Sequence, residues 1–349
     1  MSFVRNGLPR LIVLGLALSL FAAACGDSAA DDGSGGGGGV TGEVVISGSS
    51  TVEPISAFNA EKFSAENPDV SISVDGPGTS DGFELFCNGE TDISDASRPI
   101  DTEEEVTACA DNGIEFIELK VAIDGLSVIT AVDNNEVECL SFSDLYALLG
   151  AESEGFENWS DANDLAGELE GATNTPYPDA PLVVTAPGEE SGTYDSFGEI
   201  VLEDIAYEER GVSEDKSPIR PDYQASANDN VIIEGISGTP TSLGWVGYAF
   251  FIQNSETVKA LAIDGGEGCV EPTEDTISSG EYPIARDLFI YVNTSKLEEN
   301  PAVEAYVDFY LSDAGLASVA EVGYVDLADE DIQATQDAWS AKETGTREG

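Results

Sequence analysis

A strand, a hydroxyl-rich loop and a helix follow one another at several places in this chain, and that order constrains the fold more than any other feature. Glu43-Val44-Val45-Ile46-Ser47 reads as a short strand running into Gly48-Ser49-Ser50-Thr51, after which Val52, Ile55, Phe58 and Phe63 fall roughly on one side of a helix. Val70, Ile72 and Val74 alternate with serines as a second strand, followed by Gly78-Thr79-Ser80-Asp81-Gly82 and a helical face of Phe83, Phe86 and Cys87. Residues 182–185 form a further strand, 187–192 a loop, and Tyr194, Phe197, Val201 and Ile205 a helix face. This alternation predicts an α/β architecture with mixed, largely parallel sheets.

At 349 residues, with 41% hydrophobic residues, the chain can bury two separate cores. Two β-rich stretches, 125–132 and 244–251, are the expected crossings between them. That assigns residues 42–125 together with 256–349 to one lobe and 126–255 to the other. Ligands in open α/β sheets bind outside the strand ends, where the hydroxyl-rich loops fall.

The first residues read as an address rather than as fold. Arg5 and Arg10 precede an apolar run from Leu11 to Leu20 and then Phe21-Ala22-Ala23-Ala24-Cys25-Gly26. A basic region, a short apolar core and small residues make an export signal over residues 1–24, too short to span a bilayer comfortably. Cys25 after small residues resembles a lipobox, with Ala22 where Leu is more usual; the other reading is an ordinary cleaved signal with an incidental Cys. Residues 25–41, with five consecutive glycines, read as a lipidated Cys and a flexible tether. Lipid on Cys25 would hold the protein to the outer face of the cell membrane. No later segment is long and apolar enough to span one.

Four cysteines remain, Cys87, Cys109, Cys139 and Cys269, an even number suited to an oxidising compartment. Three pairings are possible. The favoured one joins Cys87 to Cys109, closing a short local loop, and Cys139 to Cys269.

Charge and absences remove whole classes of function. With 68 acidic residues against 13 basic ones, the surface repels phosphate backbones, which excludes nucleic acid as a partner. The chain has no His, so Ser-His-Asp and Cys-His catalysis and His-ligated metals are ruled out. No Walker-type Gly-Lys-Ser/Thr, EF-hand or CxxC spacing occurs, and no cofactor or metal is expected. The expectation is a binding protein, not an enzyme.

The hydroxyl-rich loops suit an anion instead. Ser49-Ser50-Thr51, Thr79-Ser80 and Ser191-Gly192-Thr193 each sit at the start of a helix, where free N–H donors and the positive end of the dipole face outward. Any one of them can be an ordinary N-cap; three in the same context point to a ligand. Ser97-Arg98-Pro99 adds a cation that is rare here, since 13 basic residues less Arg5 and Arg10 leaves 11. The alternative for Arg98 is a surface salt bridge.

Gly48 to Val52, the run Gly89-Glu90-Thr91-Asp92-Ile93 through Ile100, Glu190-Ser191-Gly192-Thr193-Tyr194-Asp195, residues 223–230 and 244–250, and Leu288-Phe289-Ile290-Tyr291-Val292-Asn293 strongly resemble the PstS-type phosphate-binding proteins. The resemblance runs in order from about residue 43 to about 325. It implies a two-lobed periplasmic-binding-protein (Venus-flytrap) fold closing on one inorganic phosphate, a monomeric receptor that delivers it to the membrane permease subunits of an ABC importer. Matched motif to motif, the phosphate donors would be Ser50, Thr51 with the Val52 backbone, Thr79, Ser80, Ser97 and Ser191-Gly192-Thr193, with Arg98 as a further ligand. Two departures stand out: Pro187-Gly188-Glu189-Glu190 replaces the Arg that some members carry before Ser-Gly-Thr, and Ser80-Asp81 stands where glycines are common.

Phosphate at neutral pH keeps a proton that sulfate lacks, so a carboxylate accepting that hydrogen would favour phosphate. Asp81, Glu189 and Asp95 are the candidates. The rival readings are the same fold binding sulfate, molybdate or tungstate, and a secreted phosphate-ester hydrolase with a Ser or Thr nucleophile.

Overall fold

The computed structural model describes residues 40–189 and 191–347. The signal at 1–24, Cys25 and the tether up to residue 39 lie outside the described residues.

Twelve strands are formed among the described residues: β1 (Gly42–Gly48), β2 (Val70–Asp75), β3 (Ile93–Ala96), β4 (Phe116–Ala131), β5 (Cys139–Ser141), β6 (Val183–Ala186), β7 (Gln224–Ala225), β8 (Ser242–Gly247), β9 (Val258–Ala260), β10 (Ala262–Asp264), β11 (Cys269–Val270) and β12 (Ala285–Asn293). Nine make one sheet in the order β2-β1-β3-β12-β4-β8-β6-β7, with β9 on β4; β11, β10 and β5 make a second of three strands. The flanks are parallel, β1 with β2 and β3, β6 with β7 and β8. Through the middle, the pairs β3–β12, β12–β4 and β4–β8 are antiparallel.

The middle is antiparallel because β4 and β12 serve both halves of the molecule. β4 has 16 residues and is buried along nearly its whole length, with Glu118, Asp124, Ser127 and Thr130 buried among its apolar residues. It pairs with β12 from Phe116 to Gly125, then passes to β8 from Leu126 to Ile129. Below that change of partner one core collects Val44, Ile46, Ile117, Leu119, Ile290, Tyr306, Tyr310 and Trp339. Above it another collects Leu126, Val128, Leu145, Trp159, Phe197 and Trp245.

The chain returns between the cores later than the expected boundary at 255/256. Leu261, Ile263, Ile277, Tyr282 and Ile284 all pack in the second core. The strands β9 and β10 in this stretch pair with β4 and β5, so the return is made by β12, starting at Ala285. The stretch 244–251 makes no crossing: it is β8 followed by the helix Tyr248–Gln253.

The cysteines pair as Cys87–Cys109 and Cys139–Cys269. The first ties the helix Thr79–Cys87 to the helix Glu105–Asp111; the second ties β5 to β11.

Candidate functional site

The loops after β1, β2, β3 and β6 gather where the two halves face each other. After β1 the chain turns through Ser49-Ser50-Thr51, with the Ser49 N–H on the Asp95 carbonyl at 2.8 Å. The helix Thr79–Cys87 begins tight against this turn: a Cβ on Gly82 would stand 2.3 Å from Gly48 Cα, so only glycine fits. The Thr79 hydroxyl accepts the Ser97 N–H at 3.2 Å and shares a hydrogen bond with the Ser97 hydroxyl at 3.0 Å. Two of the expected donors, 18 residues apart, are thereby fixed on one wall.

The opposite wall is the helix that starts after Ser191, whose hydroxyl caps it by accepting the Thr193 N–H at 3.2 Å. Phe197 stacks on Trp245 at 4.1 Å between ring centroids, which anchors the first turns to the second core. Beyond Phe197 the helix widens into π turns over Gly198–Leu202 and Asp204–Glu209. Such turns recur at functional sites; here the first carries Glu199, and Glu203 sits between the two.

The walls touch. The Ser50 hydroxyl donates to Asp195 at 2.8 Å, and the hydroxyls of Thr51 and Ser196 lie 3.3 Å apart. Arg286, on β12, joins them: its Nη2 donates to Ser196 Oγ at 2.7 Å and to Thr51 Oγ1 at 3.2 Å. Its Nη1 pairs with Glu199, and its Nε lies 3.7 Å from Asp124 Oδ2. Asp124, in the middle of β4, also accepts the Ser196 hydroxyl at 2.6 Å. Burial pushes the Asp124 carboxyl above its ordinary range, and the Arg286 charge pulls it back.

A cavity of about 590 Å³ opens beside this contact. Gly78, Thr79, Ser80, Asp81, Ser97 and Arg98 line one side, Glu199, Ile200 and Glu203 the other, with Arg286 and Asp287 contributed by β12. Burial, followed by the like charge of Glu199, raises the Glu203 carboxyl. Burial also raises Asp195, against the pull of its Ser50 hydrogen bond. Two guanidinium groups, a set of hydroxyls and a carboxylate-bearing helix therefore face the same space.

The expected site residues fall into distinct groups. Thr79, Ser80, Asp81, Ser97 and Arg98 line the cavity, while Ser50, Thr51 and Gly192 form the contact behind Arg286. Thr193 lines a smaller recess of about 270 Å³ together with Asp124 and Asp229. The Val52 side chain is in the core and its N–H turns back to the Ser49 carbonyl at 3.1 Å. Arg98 is paired bidentately with Glu105 at 2.8 and 2.9 Å and donates to Ser80 at 3.0 Å, a salt bridge on the cavity rim. Glu189 is exposed and lies outside the cavity lining. Asp95 faces away from the cavity: its carboxylate accepts the Ser56 hydroxyl at 2.9 Å beneath the helix Glu53–Glu66, and burial pushes its pKa up to about 8.

Arg286 and Asp124 are the residues that sequence reasoning missed. Arg286 lies 235 residues from Thr51 and 90 from Ser196, with no local pattern to announce it. Asp124 had a signal, an acid inside the apolar run Val121-Ala122-Ile123-Asp124-Gly125-Leu126-Ser127-Val128.

Two lobes sharing a pair of strands, with polar loops meeting at their junction, define a solute-binding receptor of the periplasmic type. The family described as the PBP superfamily domain matches residues 33–314. Protein SphX of Synechocystis is 34% identical over 304 residues, covering 87% of this chain and 84% of that one. The phosphate-binding protein PstS of Staphylococcus haemolyticus is 35% identical over 316 residues, covering 90% of each chain. Among solved structures, a possible phosphate-binding protein from Planctomyces limnophilus is 36% identical with a TM-score of 0.76, over 87% of this chain and 99% of its own. The chain belongs to the PBP superfamily, and within it to the PstS-type phosphate-binding proteins.

Proposed function

We propose that this chain is an extracytoplasmic receptor that captures inorganic phosphate between its lobes and delivers it to an ABC-type importer. The observation that carries the reading is the convergence of Thr51 and Ser196, one from each wall, on the Arg286 guanidinium beside the hydroxyls of Thr79 and Ser97. Hydroxyl donors and a planar guanidinium are what a tetrahedral oxyanion requires. In this reading Arg286 supplies the positive charge, Thr51, Thr79, Ser97 and the Ser191–Thr193 loop supply neutral donors, and Arg98 is a second cation at the rim. Asp81, a carboxylate on the hydroxyl wall, accepts the phosphate proton.

Closure follows from the same geometry, because an anion bridging donors on both walls binds the closed form better than the open one. The negative surface slows encounter more than it weakens the complex, since screening limits its reach to about 8 Å at about 0.15 M salt. Diacylation of Cys25 would hold the protein, acting as a monomer, at the outer face of the cell membrane; a Cys25→Ser variant should then appear in the medium.

The deciding experiment is calorimetric titration of the phosphate-stripped protein with phosphate, with sulfate as competitor. One-to-one phosphate binding that excess sulfate does not displace supports the reading. Absence of binding by folded protein, or preference for sulfate, molybdate or tungstate, refutes it.

A further inference from the structure

The Arg286 guanidinium faces the cavity already paired with an internal carboxylate. Glu199 reaches it from the π-helical turn on the opposite wall, and both side chains line the same space as Thr79 and Ser97. The two carboxylates that meet Arg286 are unlike. Asp124 is buried, held by the Ser196 hydroxyl, and remains at the back of the guanidinium. Glu199 has a side chain 46% exposed and sits at the front, where an incoming anion must approach.

We infer that Glu199 is a built-in competitor for the anion's seat on Arg286, so that it limits affinity and assists release. The inference rests on the phosphate reading of the site. A tetrahedral oxyanion and a carboxylate present the same pair of oxygens to a guanidinium, so the two cannot occupy its cavity-facing edge together. Binding therefore exchanges one ion pair for another, and only the difference appears as affinity. On release Glu199 returns to Arg286, so the cation need not be left bare as the anion departs. A carrier that must surrender its cargo gains from such a substitute: it lowers the barrier to dissociation without removing any donor.

The test compares Glu199→Gln with Asp204→Asn, which removes the same unit charge from the same helix at an exposed position outside the cavity lining. Inorganic phosphate is titrated into each stripped protein, and its release rate is followed by stopped flow. Losing a competing, partly exposed ion pair should tighten phosphate binding by about three- to fivefold. The gain should appear as slower release, with Asp204→Asn giving a clearly smaller gain. Equal gains in the two variants would reduce the effect to general charge and overturn the inference. So would unchanged or weaker binding in Glu199→Gln with wild-type binding intact, while the phosphate reading would stand. No phosphate binding by wild type or by either variant would overturn both.

Discussion

Gly192 presses so closely on the first wall that a Cβ placed on it would stand 3.1 Å from Thr51 Cα and 3.2 Å from the Ser50 carbonyl oxygen. A methyl group there fits only if the walls separate by a few tenths of an ångström. Gly192→Ala should accordingly weaken phosphate binding by about tenfold, equivalent to about 1.4 kcal/mol, through overpacking at the closed contact. Titration calorimetry reads the loss. An unchanged affinity would mean that this contact is absent from the bound form.

Arg286→Met tests the cation and its support together. It removes the donors to Thr51 and Ser196 and leaves Asp124, 3% exposed, without its compensating charge. Stability should fall by about 3 kcal/mol and phosphate affinity by at least about a hundredfold. Adding Asp124→Asn should recover most of the stability in chemical denaturation and none of the affinity. Recovery of both would move Arg286 from binding to a purely structural role.

Asp95 gives the stability a pH dependence. Its carboxyl titrates near 3.8 when unfolded and is pushed up to about 8 in the fold, chiefly by burial and further by Glu53, against the Ser56 hydrogen bond. Between those values the folded chain holds a proton that the unfolded chain has released. Stability is therefore full below about pH 4 as far as this group is concerned, and is lost progressively as pH rises through 8. Asp95→Asn should be more stable than wild type at pH 9, with the advantage shrinking towards pH 5, as read from denaturant midpoints. A pH-independent difference would show that Asp95 is not the titrating group.

Replacing both Cys87 and Cys109 by Ala should cost about 3 kcal/mol, since their bridge spans 22 residues. The bridge also ties the helix that begins with Glu105, the partner of Arg98, to the helix that begins with Thr79. Phosphate affinity should fall along with the melting temperature. A lower melting temperature with intact affinity would separate the bridge from the site.

Asp81→Asn bears on selectivity. Asp81 lines the cavity in the first turn of the helix that starts with Thr79. As acceptor of the phosphate proton it should, when neutralised, raise relative sulfate affinity by about tenfold in competition titrations. If discrimination persists, the acceptor lies elsewhere on the cavity wall.

What could be read from the sequence was local. A strand entering Ser49-Ser50-Thr51, or Ser191 capping the next helix, is written in adjacent residues, and Cys87–Cys109 closes a loop short enough to favour by spacing. The β-rich run at 125–132 is likewise local. The stretches 244–251 and 285–293 are equally β-rich in sequence, and only packing assigns Leu261 to Ile284 to the second core. Arg98 stands out in the sequence by its rarity, but Glu105, seven residues away, engages it. Arg286 is just as rare, yet its partners lie on other segments, and no periodicity links β12 to Thr51 and Ser196.

The sharing of β4 and β12 also sets an order of assembly. β1, β2 and β3 are made early, yet β3 pairs on its inner side with β12, and the core beneath them is closed by the helices Pro301–Tyr310 and Asp329–Ala341. The half of the molecule begun first is completed last. During synthesis its apolar faces stay unburied until nearly the whole chain has emerged, so this half is the one that an escorting chaperone would need to shield, and a truncation that removes the helix Asp329–Ala341 strips Ala338 and Trp339 from its core.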